Sequence, residues 1–444
     1  MKITHLSNSF ILVESQNVKI CCDPWVGSAN YGGWHSFPEF EKNELINYLS
    51  NFDIVYISHL HDDHLDTKFL KQSGLIDKTF IVKSFQFKTL YNRLKSIGVN
   101  QILELEPFEI FQYKELKISI LPQMSTNSSE LDEDVEYDLD TSFIVADQKT
   151  VFFNQVDNPY SLKDYEKLAN WIYLNYGNIT ISALMAGAAS EYPQAFLNIN
   201  RLYEKDRIIK SELNRIVNVL QILKPHYYFA AGGTYFIPGN LHKLNSFIAL
   251  PSSAQIKNEL DLNNISTTFL ELEGGKSVTI DSANKSLIST SIQSTSYDMS
   301  ISIENHKNDL YDYEAEVNEI TINTIVDLFS NAKINWEREL INKNIEIEQD
   351  IEFIIYNHMY LNDDLVNIYE EPLGELNLSN NIGKSKGLLK IHIDIRAMYL
   401  CLIRKKVWNG TIGALCLFER SPNIFYPSVT FSLNYLIVNN SNKV

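Results

Sequence analysis

The stretch Asp53–Asp66, DIVYISHLHDDHLD, constrains the fold more than any other part of the chain. An apolar, β-branched run ends at Ser58, and three of the chain's ten histidines follow within six residues. They are His59, His61 and His64, with Asp62 and Asp63 between the last two. DIVYIS reads as a short strand. Asp66 is a plausible N-cap and Gly74 a stop, so the next segment reads as a short helix. The cluster therefore sits where a strand turns into a helix. His59 and His61, two apart on a turning backbone, lean to one side. Two neutral imidazoles suit a borderline first-row metal. Asp63 and His64 offer a carboxylate and an imidazole to a second ion. A further carboxylate bridging both would hold the pair about 3.5–4 Å apart. A solvated loop rich in His and Asp is the competing explanation, but the flanking strand and helix supply the context a metal site needs.

Alternating patterns continue along the chain. FILVES, VKICCDPW, TFIVKS, QILEL, LKISILP, SFIVADQKTVFFNQVD, ITISALMAG and HYYFAAGG read as strands. EKNELINYLSN, SFQFKTLYNRLKSIG, LKDYEKLANWIYLNYG and the long segment ended by Pro225 read as helices. Such a mixture predicts sheets covered by helices. The 444-residue length suggests two domains. The Ser/Thr-rich stretch from Ser286 to Ile303 reads as the connection between residues 1–285 and a smaller α+β unit, residues 304–444. A net charge of −17 argues against an electrostatic grip on nucleic acid. No segment approaches the roughly 18 apolar residues of a membrane span, and the N-terminus lacks signal-peptide features. The cysteines form no CxxC pair, and adjacent Cys21 and Cys22 should point to opposite faces of a strand. Free thiols and a cytoplasmic location are expected.

The HxHxDH cluster in this setting resembles the metallo-β-lactamase superfamily. That resemblance implies an αββα four-layer sandwich, α+β in class, with metals at the sheet edge and a smaller C-terminal α+β domain. It also implies a bridging aspartate after a later strand. KTVFFNQVDNP places Asp157 there, although Asp-Asn-Pro is also ordinary turn chemistry. The superfamily usually adds a third histidine between the cluster and the bridge, but none lies between His64 and Asp157. The acidic run SSELDEDVEYDLDTS lies there instead. Asp138 or Asp140, just before the strand SFIV, is the expected substitute, with Glu130 the outsider. The usual last ligand is also missing from AAGGT. His242 follows closely enough to reach back, whereas His226 reads as structural. A carboxylate in place of an imidazole shifts the preference towards iron or manganese and away from zinc.

Longer stretches, CDPWVGSANYGGWHSFP, ALMAGAASEYP, YYFAAGGTYFIPGNLHKLN and VWNGTIGALCLFERSPNIFYPSV among them, resemble the CMP-N-acetylneuraminate hydroxylase-like proteins. Full-length hydroxylases of that kind carry a Rieske domain; the sequence opens on the lactamase-like pattern, so a separate electron donor is expected. The carboxylate-rich ligand pattern also resembles the diiron hydroxylase of chloramphenicol biosynthesis. The resemblances imply two divalent transition-metal ions, iron preferred and zinc or manganese possible, with Asp63 and Asp157 at the reacting centre. They imply oxygenation of a nucleotide sugar or carrier-bound metabolite, or else metal-dependent hydrolysis of a phosphodiester, amide or lactone. Trp34 and His35, in an aromatic loop, are candidate substrate contacts. The small residues of AGAASEYP, and Arg420, are weaker candidates for an anion. The C-terminal unit is expected to shape the cleft, pair two copies as a homodimer or dock a partner.

Overall fold

Alternate residues of the N-terminal strands fall into two different cores, and this sorting defines the layers. Ile11 and Val13 pack with Ile118, Phe143 and Phe152, whereas Phe10 and Leu12 pack with Leu45, Phe69 and Leu94. Cys22 joins the first core and Cys21 the second, as period-two alternation requires. All four cysteines are buried free thiols. The computed structural model describes residues 1–124, 139–187, 192–280, 286–362, 364–365, 367–379, 385–424 and 426–438.

The first sheet has eight strands. In order they are Ser286–Thr290, Lys276–Ile280, Lys2–Ser7, Phe10–Glu14, Lys19–Cys22, Ile54–Tyr56, Thr79–Lys83 and Gln101–Leu105. The early strands pair antiparallel and the last four run parallel. The second sheet has seven: Phe111–Tyr113, Leu116–Pro122, Thr141–Ala146, Val151–Asn154, Ile181–Met185, Tyr227–Ala231 and Thr268–Phe269. It too changes from antiparallel to parallel, at Val151–Asn154. Their inner faces share one apolar core. The outer face of the first sheet is covered by helices Lys42–Leu49, Thr67–Gln72 and Thr89–Ser96. Helices Leu162–Tyr176, Arg201–Leu223 and Ser253–Leu262 cover the second. The result is the αββα sandwich. Each fully buried Ile, Leu or Phe in it contributes about 1.5–3 kcal/mol of apolar transfer.

Local signals set several boundaries. Asp66 accepts a hydrogen bond from the Phe69 amide and caps the helix after the histidine cluster, and Gly74 leaves it at φ +72°. The Ser/Thr-rich stretch differs from a plain connection. Ser286–Thr290 is the edge strand of the first sheet, Ser294–Ser296 pairs with Glu39–Phe40, and Met299–His306 is a helix. Exposed, alternating Ser and Thr suit an edge strand as well as a linker, which is why composition alone misreads them. No helix among the described residues is long and apolar enough to cross a membrane.

The C-terminal part forms a four-stranded sheet, Gly374–Leu378, Asp350–Tyr356, Leu388–Asp394 and Leu417–Ser421. Helix Ile322–Lys343 packs on it through Ile325, Phe329, Ala332, Trp336 and Leu340, a stripe at helical spacing. Its core runs without a break into Trp25, Trp34, Tyr235 and Leu241 of the N-terminal part. The Leu197 amide also donates to the Phe418 carbonyl at 2.7 Å. At Gly33 the two parts touch so closely that a Cβ would meet Ala414 Cβ at 2.6 Å and its carbonyl at 2.9 Å. Gly33→Ala should therefore cost about 1–3 kcal/mol by overpacking. Urea unfolding measures it, and an unchanged midpoint would contradict this close apposition.

Candidate metal centre

The parallel strands of the first sheet end side by side, and the chain turns there twice. After Cys22 it enters Asp23 at φ +42°, and after Tyr56 it runs into Ser58 and His59. Asp23 is fully buried. It accepts from the Ser58 amide (2.8 Å) and the Ser58 hydroxyl (2.7 Å), and lies 3.1 Å from His64 Nδ1. Ser58 Oγ stands 2.8 Å from His59 Nδ1. Both imidazoles are thus gripped at Nδ1, which turns each Nε2 inward. Outer hydrogen bonds of this kind fix the tautomer and ring angle of metal-ligating histidines.

The inward atoms converge. The His59 ring lies 4.1 Å from that of His64 and 4.5 Å from that of His61, centroid to centroid. His59 Nε2 is 3.4 Å from Asp140 Oδ1. His64 Nε2 is 3.2 Å from Asp157 Oδ2 and 3.5 Å from Asp63 Oδ2. Two overlapping donor clusters result, His59–His61–Asp140 and His59–His64–Asp157, each with its ligand atoms within 4.8 Å of one another. His59 Nε2 and Asp157 Oδ1 are buried and have no hydrogen-bond partner among the described residues. Orphaned buried atoms are costly unless something fills the space between them, and a mixed imidazole–carboxylate set fits first-row divalent ions.

Electrostatics agree with this fit. Burial, reinforced by His64 and His61, holds the His59 imidazole well below its ordinary pKa and so neutral, its ligating form. At His64 burial acts in the same downward direction, but the charges of Asp157 and Asp63 and the bonds to Asp157 and Asp23 win and raise it well above. Burial pushes the Asp157 carboxyl up, and His64 overrides that to hold it below the usual range. The His64 proton thus occupies a place suited to a cation.

Of the residues expected from sequence, His59, His61, Asp63, His64, Asp140 and Asp157 come together. Asp138 and Glu130 lie outside the described residues, as do residues 188–191 of AGAASEYP. His242 is elsewhere: it sits in the 3-10 segment Gly239–Phe247 with Nδ1 2.8 Å from the Gly239 carbonyl, and joins no metal-binding cluster among the described residues. His226 is exposed. At the position expected to supply the last ligand the chain has Gly232 and Gly233, both at positive φ. A Cβ at Gly232 would come 3.3 Å from Asp157 Oδ1, so the glycines let the backbone pass close under that carboxylate. Asn8 pins this turn by accepting from the Gly233 amide at 2.7 Å.

A cavity of about 500 Å³ opens over the centre. Asp63, Asp140 and Asp157 form its floor, and Trp34, Tyr192 and Tyr235 part of its wall. Trp34 stacks on Tyr235 at 4.4 Å. His35 does not line it: neighbours on the strand Trp34–Ser36 face opposite ways, and His35 stacks on Phe236. Arg420 does line it, 4.6 Å over the Phe196 ring, and so does Arg207. From the C-terminal part Asn409 Nδ2 reaches within 3.4 Å of His61 Nε2. Asp23, Ser58, Asn8 and Asn409 escaped sequence reasoning. Of these only Asp23 carries a local signal, an acidic residue directly after a buried strand.

Comparison with known proteins gives the class. Residues 2–153 match the family model described as a β-lactamase superfamily domain. With the four layers and the HxHxDH centre, the chain is a metallo-β-lactamase-fold protein. It is similar to a Mycobacterium tuberculosis protein named as a Rieske 2Fe–2S iron–sulfur protein, 26% identical over 44% of this chain and 36% of that one. It is also similar to mouse cytidine monophosphate-N-acetylneuraminic acid hydroxylase, 25% identical over 59% of this chain and 43% of the relative. The chain thus spans less than half the length of these relatives. Among solved structures, CmlA, a diiron β-hydroxylase from Streptomyces venezuelae, is 12% identical over 61% of this chain and 53% of its own, with a TM-score of 0.37.

Two outcomes follow from the geometry. Asp23→Asn should weaken metal binding by about 10–100-fold while leaving the fold intact, as measured by competition with a chromophoric chelator. An unchanged affinity would make the network merely structural. Binding must also expel the His64 proton, which the neighbouring carboxylates hold to well above the ordinary imidazole range, so affinity should rise with pH through and above that range, with proton release visible in calorimetry across buffers.

Proposed function

We propose that this chain is a dinuclear-metal oxygenase that takes iron and hydroxylates a biosynthetic intermediate, such as a nucleotide sugar or carrier-bound metabolite. Electrons come from a separate donor. The observation that carries this reading is Asp140, a carboxylate 3.4 Å from His59 Nε2 and clustered with His61. Oxygen-rich ligation favours iron or manganese over zinc. The likeness to the sialic acid hydroxylase over more than half of the chain supports the same chemistry.

Two ferrous ions bound here would supply the reducing equivalents and open positions that dioxygen activation needs. The protein's own residues do the rest. His59 and His61 with Asp140 would hold one ion, and His64 with Asp63 and Asp157 the other. Asp23 and Ser58 keep both inner imidazoles oriented through Nδ1. Tyr192, its phenol raised by burial and then by Tyr235 and the surrounding carboxylates, keeps its proton and acts as a donor at the cavity wall. Trp34, Tyr235 and Ile412 exclude water from the substrate's apolar parts, and Arg420 favours an anionic end.

The test is anaerobic loading with ferrous iron, then reductant and dioxygen. A ferric charge-transfer absorption that forms with oxygen uptake, and that is lost in Asp140→Ala, is the expected result. Once a substrate is in hand, product labelled from dioxygen supports the oxygenase. Full turnover with zinc alone, or label entering from water, would replace it with a hydrolase working through a metal-activated water.

A further inference from the structure

On the face of the strand Trp34–Ser36 that points away from the cavity lies a second cluster of ligating side chains. His35, Glu39 and His306 offer two imidazole nitrogens and one carboxylate oxygen, all within 4.8 Å of one another. The two rings stand 4.3 Å apart, and His306 Nε2 is 3.0 Å from Glu39 Oε1. We propose that these residues form a separate, mononuclear site for a borderline divalent cation of the zinc type, fastening helix Met299–His306 to the strand that carries Trp34.

Three observations support an ion here. First, both imidazoles have Nδ1 committed to an oxygen acceptor. His306 Nδ1 is 2.6 Å from Asp309 Oδ2, and His35 Nδ1 is 3.1 Å from the Ser36 carbonyl. Those partners draw the ring proton to Nδ1 and leave the Nε2 lone pair for a metal, with Asp309 completing a carboxylate–histidine–metal arrangement. Secondly, the donors stand on a fixed scaffold. His35 pairs in register with Phe236 and stacks on its ring at 4.8 Å. Glu39 lies on a strand paired with Ser294–Ser296, and the Ser302 hydroxyl donates to its second oxygen. Thirdly, the local charge favours a cation. Glu39 and Asp309 bring two carboxylates, and His306 ends a helix, where the carbonyl dipoles point. Three protein donors leave a fourth tetrahedral position for water or for a group from a partner.

The position gives the ion a consequence. Trp34, the residue before His35, stacks on Tyr235 in the cavity wall. Ser294–Ser296 and the helix after it belong to the stretch linking the first sheet to the C-terminal part. An ion on His35 and His306 therefore ties that linking stretch to the wall above the dinuclear centre. The rival arrangement is a protonated His306 bridging Glu39 and Asp309 with no metal.

Cobalt titration of the full-length, metal-free chain separates the two. Bound ions are followed by visible absorption and counted by mass spectrometry after desalting. His306→Ala and Glu39→Gln should each retain one ion fewer than the unsubstituted chain, with absorption from the other centre unchanged. His61→Ala should show the reverse pattern, losing metal at the dinuclear centre and keeping this ion. Failure of one centre is thereby read separately from failure of the other. If His306→Ala does not fold, His35→Gln serves in its place. Equal ion counts in the unsubstituted chain, Glu39→Gln and His35→Gln would overturn the site in favour of the bridging imidazolium.

Discussion

Asp23 is the residue on which the rest of the metal centre depends. Burying a carboxylate costs several kcal/mol unless its lone pairs are met. Here they are met by the Ser58 amide, the Ser58 hydroxyl and the His64 ring. Burial still dominates and leaves its pKa raised, so the carboxylate is held by geometry, with little electrostatic margin. The Asp23 amide donates to the Tyr56 carbonyl at 3.0 Å, across the parallel pairing in which Cys22 faces Tyr56. One side chain thus joins the ends of two neighbouring strands and aims two imidazoles. It does so beyond the carboxyl ends of parallel strands, where open sheets of mixed α and β proteins place their sites.

The second sheet answers with carboxylates, and its register explains which. Thr141–Ala146 and Val151–Asn154 form a hairpin in which Phe143 faces Asn154 and Ala146 faces Val151. Continuing that register brings Asp140 and Asp157 to the same open end, nominally opposite each other. The far end is closed by Asp147, whose Oδ1 accepts from the Lys149 and Thr150 amides at 2.8 Å. An Asx-type turn at one end of the hairpin therefore decides which acidic residues reach the metals at the other. A shift by one residue would turn every side chain to the wrong face.

That dependence marks how far the sequence could be read. The HxHxDH turn, its flanking strand and helix, the alternating strands and Asp157 are local patterns, and local patterns survive in the sequence. Asp140 reaches the cluster through register, which the acidic run hides because several of its positions carry the same chemistry. Asp23 and Ser58 act through contacts between strands far apart in the chain. Asn8 and Asn409 come from a hairpin and a distant helix. His242 lies near the glycine turn in sequence, but its ring turns back onto its own 3-10 segment. Trp34 and His35 are neighbours in one aromatic loop of the sequence, but strand alternation sends the first to the cavity and the second away.

The C-terminal part is continuous with the wall of the cavity above the centre. Its apolar core merges with Trp25, Trp34 and Tyr235, so the cavity wall and the packing between the two halves are one structure. Asn409 stands on the helix Trp408–Leu415, whose Ala414 lies against Gly33, and reaches within 3.4 Å of His61 Nε2. The cavity therefore presents carboxylates and an imidazole from one side and an amide, an arginine and aromatic rings from the other. On the proposed reading Arg420, stacked on Phe196, is the cavity's cation for an anionic ligand, whereas Arg207 is paired with Glu204 at 2.8 Å. On the proposed reading, specificity would follow from how an anionic end and an apolar body are spaced across a cavity whose wall belongs to the shared core.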